Sequence, residues 1–205
     1  MKKQVFVVHG GETFDTYEEY VECLKGYKIG LEDIRNKKNR WKKNLGEDLG
    51  NDFEVILPQM PNEMNAKYAE WKIWFEKFSP LLNETVVLAG HSLGGIFLAK
   101  YLSENVFPKK IIATFLIAAP YGEKGCKPTL GDFILPQSLD LLQKQGGEIF
   151  LYQSKDDPFV PFADFEKYKN ALPGAKAAVF EDRGHFLQSN FLELADDIKA
   201  LNWLN

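Results

Sequence analysis

Short apolar runs alternate with amphipathic stretches along the whole chain. Runs of β-branched and aromatic residues, bounded by glycine, proline or charged residues, predict strands at 4–8, 53–57, 85–89, 111–118, 149–153 and 177–180. Apolar positions three or four apart predict helices at 66–78, 95–103, 136–145, 162–172 and 191–201. This alternation favours an α/β fold, a three-layer α/β/α sandwich with a six-stranded parallel sheet covered on both faces.

The longest connection lies between the first two predicted strands, at about residues 14–50. Thr16 and Glu19 form a capping-box pattern, and the apolar spacing after them predicts a helix. Gly26 and Gly30 weaken the prediction that this helix is continuous. We expect a single domain over residues 1–205, in which this insertion acts as a small lid.

A basic stretch at residues 35–43, with Trp41 inside it, ends the insertion. Such a stretch could bind phosphate or an acidic partner. A solvated helix face is the favoured interpretation, because asparagines and the nearby Glu47 and Asp48 dilute the positive charge.

Composition excludes several classes of protein. The chain is 45% hydrophobic and 26% charged, which is ordinary globular composition, and its net charge of −4 gives no overall attraction to nucleic acid or anionic membranes. Cys23 and Cys126 are too few for a disulfide framework, and no Cys/His cluster indicates a metal. The apolar run at 4–8 is too short for a signal peptide. We therefore expect a cytoplasmic protein without cofactor or metal.

The segment Gly90-His91-Ser92-Leu93-Gly94 fits the pattern GxSxG between a predicted strand and a predicted helix. In this context the pattern is typical of a nucleophile elbow, in which the flanking glycines let the strand and the helix pass closely and the serine hydroxyl is exposed. A plain tight turn is the alternative. Ser92 is the candidate nucleophile.

A serine nucleophile needs a histidine base, and the chain contains three histidines. His9 ends the first predicted strand and His91 adjoins Ser92, so we expect both to support loops. His185 follows the last predicted strand and precedes the last predicted helix. It is therefore the candidate base.

An aspartate should lie between Ser92 and His185 in the chain and orient the imidazole. Asp157 is favoured because it immediately precedes the rigid segment Pro-Phe-Val-Pro, and Asp156 is the alternative. One of the two could instead cap the following helix.

A tetrahedral intermediate also needs hydrogen-bond donors for its oxyanion. The backbone N–H of Leu93, directly after the nucleophile, is one candidate. If the first strand lies beside the third, the Gly10-Gly11 turn borders the same crevice, and the Gly11 N–H is the second.

Four motifs together resemble the α/β-hydrolase superfamily: HGG at 9–11, GHSLGG at 90–95, DDPFVP at 156–161 and GHF at 184–186. The short length is most similar to the compact YdeN-like, retinoblastoma-binding-protein-type serine hydrolases. The resemblance implies a six-stranded parallel sheet without a large cap domain and a catalytic triad of Ser92, Asp157 and His185. The LxCxE sequence associated with retinoblastoma-protein binding is absent, so that partner is not inferred.

We expect a serine hydrolase that cleaves small-molecule carboxylic esters, with no nucleic-acid or membrane partner and no identified protein partner. Aromatic side chains that could line an acyl pocket, although such residues more often belong to a core, are Tyr17, Tyr121, Phe133, Phe159 and Phe162. The alternative is a non-catalytic or weakly catalytic binding protein on the same fold. Peptidase, thioesterase and lipase activities are less favoured.

Overall fold

A six-stranded, fully parallel sheet forms the centre of the molecule. The computed structural model describes residues 1–31, 41–122 and 129–203. The strands are β1 (Lys3–Val8), β2 (Phe53–Ile56), β3 (Thr85–His91), β4 (Lys110–Ile117), β5 (Glu148–Ser154) and β6 (Lys176–Phe180). Their order across the sheet is β2-β1-β3-β4-β5-β6. The predicted fold class is confirmed, and the strand order reverses between β1 and β3, where ligands bind in open α/β sheets.

Seven α-helices lie in the described residues. They are α1 (Tyr17–Gly26), α2 (Trp41–Leu49), α3 (Tyr68–Phe78), α4 (Leu93–Glu104), α5 (Asp140–Gln145), α6 (Phe162–Ala171) and α7 (Leu192–Ala200). Helix α5 begins four residues later than predicted, where the Ser138 hydroxyl accepts a hydrogen bond from the Asp140 N–H (3.0 Å). In the described segments, no helix is long and apolar enough to cross a membrane.

The core has two layers, one on each face of the sheet. Along β1, Phe6 and Val8 point into the layer formed with helices α3 to α6, whereas Val5 and Val7 point into the layer formed with α2 and α7. This alternation follows from the two-residue period of a strand. It explains why the central strands contain almost continuous apolar runs.

The insertion between β1 and β2 contains two different helices. Helix α1 has the predicted capping box at Thr16 and Glu19, ends at Gly26 and buries none of its residues. A separate helix at the position of α2 was not predicted; α2 packs into the core, with Trp41 fully buried. A solvated face is therefore wrong for Trp41 and Lys42, which are both buried. Lys43 is exposed, as a solvated face predicts, and residues 35–40 of the basic stretch lie outside the described residues.

Candidate active site

Ser92 lies on a tight turn between β3 and α4, with backbone angles of φ 57° and ψ −124°. Few non-glycine residues adopt such angles, and they are typical of functional sites. A Cβ atom added to Gly90 would lie 2.3 Å from the Gly94 carbonyl oxygen, and one added to Gly94 would lie 2.3 Å from the Val8 carbonyl oxygen. The glycines of the GxSxG pattern are therefore required by the close passage of β1, β3 and α4.

The His185 imidazole contacts a buried carboxylate. Its Nδ1 lies 2.8 Å from Oδ2 of Asp157, whose side chain is fully buried, and the imidazole itself is 10% exposed. A carboxylate oxygen can only accept, so Nδ1 carries the proton. Nε2 is left with the lone pair that a general base needs.

Backbone donors hold the Asp157 carboxylate in place. Its Oδ1 accepts hydrogen bonds from the N–H groups of Phe159 (2.8 Å) and Val160 (3.0 Å). Oδ1 of Asp157 is therefore held by the backbone, whereas Oδ2 contacts His185 and also accepts a longer hydrogen bond from the Gln153 side-chain amide (3.4 Å). These donors belong to the acid loop, residues 154–161, whose prolines the sequence identified as rigid.

The neighbouring Asp156 points elsewhere. Its Oδ1 accepts hydrogen bonds from the Ser154 hydroxyl (2.5 Å) and from the Gly184 N–H (2.8 Å). These two bonds lower the pKa of Asp156. Asp156 therefore ties the acid loop to the histidine loop, residues 182–190, and the structure places Asp157 rather than Asp156 on His185.

Ser92 and His185 line one open cleft of about 890 Å³. No hydrogen bond joins the Ser92 Oγ to the imidazole within the described residues. Nucleophile–base hydrogen bonds are often long in unliganded enzymes and tighten when substrate binds. The cleft has the size of a small-molecule site.

The Gly10-Gly11 turn borders the same cleft, and the His9 side chain fixes its geometry. The His9 Nε2 accepts a hydrogen bond from the Met60 N–H (2.8 Å), so the ring proton is on Nδ1, which lies 2.6 Å from the Gly10 carbonyl oxygen. That carbonyl belongs to the peptide whose N–H is on Gly11. His9 therefore orients the Gly11 N–H, as expected for a loop-supporting residue.

Leu93 and Gly11 are the residues whose backbone N–H groups the sequence predicts as oxyanion donors. Both line the cleft beside Ser92, and the Leu93 N–H is at the N-terminus of α4. Over the described part of the chain, neither N–H has a hydrogen-bond partner. Together with Ser92 and His185, they form an arrangement suited to acyl transfer.

Only one of the five proposed pocket aromatics lines the cleft. Phe159 does so, and its ring centroid is 5.1 Å from that of His185. Each of the other four packs against another aromatic residue, away from the cleft. Phe133 is fully buried against Trp71, and Tyr121 packs on Tyr168. Phe162 packs on Phe165, and Tyr17 lies at the surface against Tyr20. The four residues are therefore not part of this cleft.

Sequence reasoning missed several residues that line the cleft. Tyr27, Met64 and Leu187 are exposed apolar side chains in its wall. They come from three separate connections, and no local pattern links them. Within the described ranges, no group of His, Cys, Asp and Glu side chains is arranged to hold a metal ion.

Comparisons with known proteins identify related chains. A family model described as serine hydrolase matches residues 30–202. The serine hydrolase RBBP9 of Rattus norvegicus is 26% identical over 151 residues, which are 73% of this chain and 78% of that protein. These matches confirm the resemblance stated from the motifs.

Solved structures share the fold. The ydeN gene product of B. subtilis has a TM-score of 0.70 at 18% identity, over 97% of this chain and 98% of that chain. The naproxen esterase (carboxylesterase NP) of Bacillus subtilis has a TM-score of 0.61 at 11% identity, over 97% of this chain and 82% of that chain.

Proposed function

Because the chain belongs to the serine hydrolase family, we propose that it cleaves carboxylic esters through an acyl-enzyme formed on Ser92. The observation that carries this proposal is the 2.8 Å contact between His185 Nδ1 and Asp157 Oδ2, in a cleft that His185 shares with Ser92. Ser92, His185 and Asp157 are the catalytic triad of this proposal. The naproxen esterase, which shares the fold, is named as a carboxylesterase, and this supports esters as the substrate class.

Acylation begins with a proton transfer. The His185 Nε2 accepts the proton of the Ser92 hydroxyl while Oγ forms a bond to the ester carbonyl carbon. The negative charge that develops on the carbonyl oxygen accepts hydrogen bonds from the N–H groups of Leu93 and Gly11. The bond to the alcohol oxygen then breaks, that oxygen takes the proton from His185, and the acyl group stays on Ser92.

Deacylation repeats these roles with water. A water molecule gives a proton to His185 Nε2 and attacks the acyl carbon, and Ser92 Oγ leaves and takes that proton back. One ester and one water thus yield one alcohol and one carboxylic acid. Asp157 stays ionised throughout and stabilises the imidazolium in both half-reactions.

The lining of the cleft supports a substrate with an apolar group. Tyr27, Met64, Phe159 and Leu187 line the cleft, and these residues are between 39% and 56% exposed. Apolar side chains in a cleft are sites where burying a ligand's apolar surface gains free energy. An ester with an aliphatic or aromatic acyl group would use them.

A fluorophosphonate probe tests whether Ser92 is activated. We expect one covalent adduct by intact mass on the wild type and none on Ser92→Ala, and a strongly slowed reaction of His185→Ala. Ser103→Ala is the matched control, because Ser103 is on helix α4, which follows Ser92, and its hydroxyl donates a hydrogen bond to the Ala99 carbonyl oxygen (2.7 Å). A folded wild type without an adduct would contradict the proposal and favour a binding protein.

The substrate class needs a second measurement. Rates with p-nitrophenyl butyrate, a butyryl thioester and a butyryl p-nitroanilide, compared as kcat/KM, separate esterase from thioesterase and peptidase activity. We expect the oxygen ester to be the fastest and to show a burst of p-nitrophenol when acylation precedes a slower deacylation. A hydrolysis rate that rises abruptly above the critical micelle concentration of the ester substrate would instead indicate a lipase.

A further inference from the structure

The histidine loop has an unusual backbone on both sides of its catalytic imidazole. Gly184 has φ 53° and Phe186 has φ 50°. Glycine adopts this left-handed conformation easily, but a phenylalanine adopts it only when its surroundings hold it there. The Phe186 ring is fully buried and stacks on Phe191. Ring packing does not by itself fix where the backbone carbonyls of the loop point.

Helix α2 of the insertion supplies donors to those carbonyls. The Trp41 indole N–H donates to the Phe186 carbonyl oxygen (2.9 Å), and the Trp41 backbone N–H donates to the Gln188 carbonyl oxygen (2.9 Å). One turn later, the Asn44 amide donates to the Ser189 carbonyl oxygen (3.0 Å). Trp41 is fully buried, so water cannot substitute for its indole donor.

A second donor reaches the loop from the nucleophile turn. The His91 Nε2 lies 2.8 Å from the His185 carbonyl oxygen, and it must carry the proton because a carbonyl only accepts. The His91 ring centroid is 4.8 Å from that of His185 and 6.1 Å from that of Trp41. The residue before the nucleophile therefore contacts both the catalytic histidine and the residue that holds its loop.

We propose that Trp41 and His91 are positioning residues for His185. Their two hydrogen bonds fix successive peptide planes, those that begin at the carbonyls of His185 and Phe186. With these planes fixed, the imidazole presents Nδ1 to Asp157 and Nε2 to the cleft. This inference rests on the proposed function, since it concerns proton transfer by His185. A purely structural role predicts a loss of stability without a specific loss of kcat.

The test uses variants that remove a donor and keep a ring. Trp41→Phe removes the indole N–H, and Trp203→Phe is its matched control. The Trp203 indole N–H also donates to a backbone carbonyl, that of Ile198 (3.1 Å). The Trp203 ring packs on Phe53, the first residue of β2, and so lies at the amino ends of the strands, whereas the cleft lies at their carboxyl ends. His91→Phe removes the second donor, whereas His91→Gln retains an N–H.

We expect Trp41→Phe to lower kcat for p-nitrophenyl butyrate by about tenfold to a hundredfold, with KM changed by less than about twofold, because misplacing a catalytic group mainly affects the transition state. Trp203→Phe should keep the wild-type kcat. His91→Gln should retain more activity than His91→Phe. The downfield proton resonance of the His185 Nδ1–H, bonded to Asp157, should shift or broaden in Trp41→Phe and stay unchanged in Trp203→Phe.

A folded Trp41→Phe with wild-type kcat and an unchanged Nδ1–H resonance would overturn the inference. If Trp41→Phe does not fold, the His91 pair decides, and equal kcat in His91→Gln and His91→Phe would overturn it. An inactive, probe-resistant wild type would refute the proposed function instead. The Nδ1–H resonance would still report whether the two donors position His185.

Discussion

Replacing Asp157 with Asn exchanges one carboxylate oxygen for an NH₂ group. This change should move the ring proton of His185 from Nδ1 to Nε2. The Phe159 and Val160 N–H groups both donate to Oδ1, so the asparagine carbonyl oxygen must occupy that position. The asparagine NH₂ group then faces His185 Nδ1, where Oδ2 accepts at 2.8 Å. An NH₂ group can only donate. The imidazole must therefore place its proton on Nε2 and its lone pair on Nδ1.

This tautomer cannot take the proton of the Ser92 hydroxyl. In a serine–histidine–aspartate triad, the same exchange of tautomers lowers kcat by a factor of about 10⁴, which corresponds to an increase of about 5 kcal/mol in the activation free energy. The fold should change little, since the side-chain volume and both bonds at Oδ1 are kept. The 3.4 Å bond from Gln153 to Oδ2 is lost, but the Gln153 amide still donates to the Val160 carbonyl oxygen (3.1 Å). We therefore expect a stable protein with a nearly abolished kcat.

The assay is steady-state hydrolysis of p-nitrophenyl butyrate, with urea unfolding measured on the same samples. Asp140→Asn is the matched control, because Asp140 is exposed at the start of α5, and it should keep wild-type kcat. If Asp157→Asn retained kcat within about tenfold of the wild type while folded, Asp157 would not be setting the tautomer of His185.

Three further outcomes follow from the structure. His9→Phe should lower kcat by about tenfold to a hundredfold with little change in KM, because the Gly11 N–H loses its fixed orientation; equal values for the variant and the wild type would exclude this role. Gly94→Ala should lower the free energy of unfolding by about 3 kcal/mol in urea titrations, since its Cβ would lie 2.3 Å from the Val8 carbonyl oxygen; an unchanged urea midpoint would contradict this. Burial raises the pKa of Tyr101 from 10.0 to about 12. The stability that the neutral Tyr101 side chain contributes is therefore fully present below pH 10 and declines as the pH rises toward about 12. Thermal melts over that range should show a smaller decline for Tyr101→Phe than for the wild type.

Much of the fold and of the site could be predicted from local patterns. Each strand is a short apolar run, and the GxSxG pattern carries its own steric explanation at Gly90 and Gly94. The order of Ser92, Asp157 and His185 along the chain pointed to one family. These features depend on residues close in sequence, or on a topology that permits few alternatives.

The features that sequence analysis missed depend on distant contacts. Trp41 stands among basic residues and reads as surface, yet its indole bonds to a carbonyl 145 positions further along the chain. Phe133 reads as a pocket residue, but the aromatic cluster around Trp71 encloses it. Asp157 was favoured over Asp156 from its place before the prolines, and the contacts that distinguish the two, with His185 and with Gly184, are also distant in the chain. No periodicity in the sequence encodes such contacts.

The bonds from Trp41 to the histidine loop also bear on the kinetics of folding. Residue 41 leaves the ribosome long before residue 188, and β1 must wait for β3 before it becomes a central strand. Such long sequence separations slow folding, because the chain must close large loops before their contacts stabilise it. We therefore expect the arrangement of Ser92, Asp157 and His185 to form late in folding. Recovery of the proposed esterase activity during refolding should lag behind recovery of helical circular dichroism.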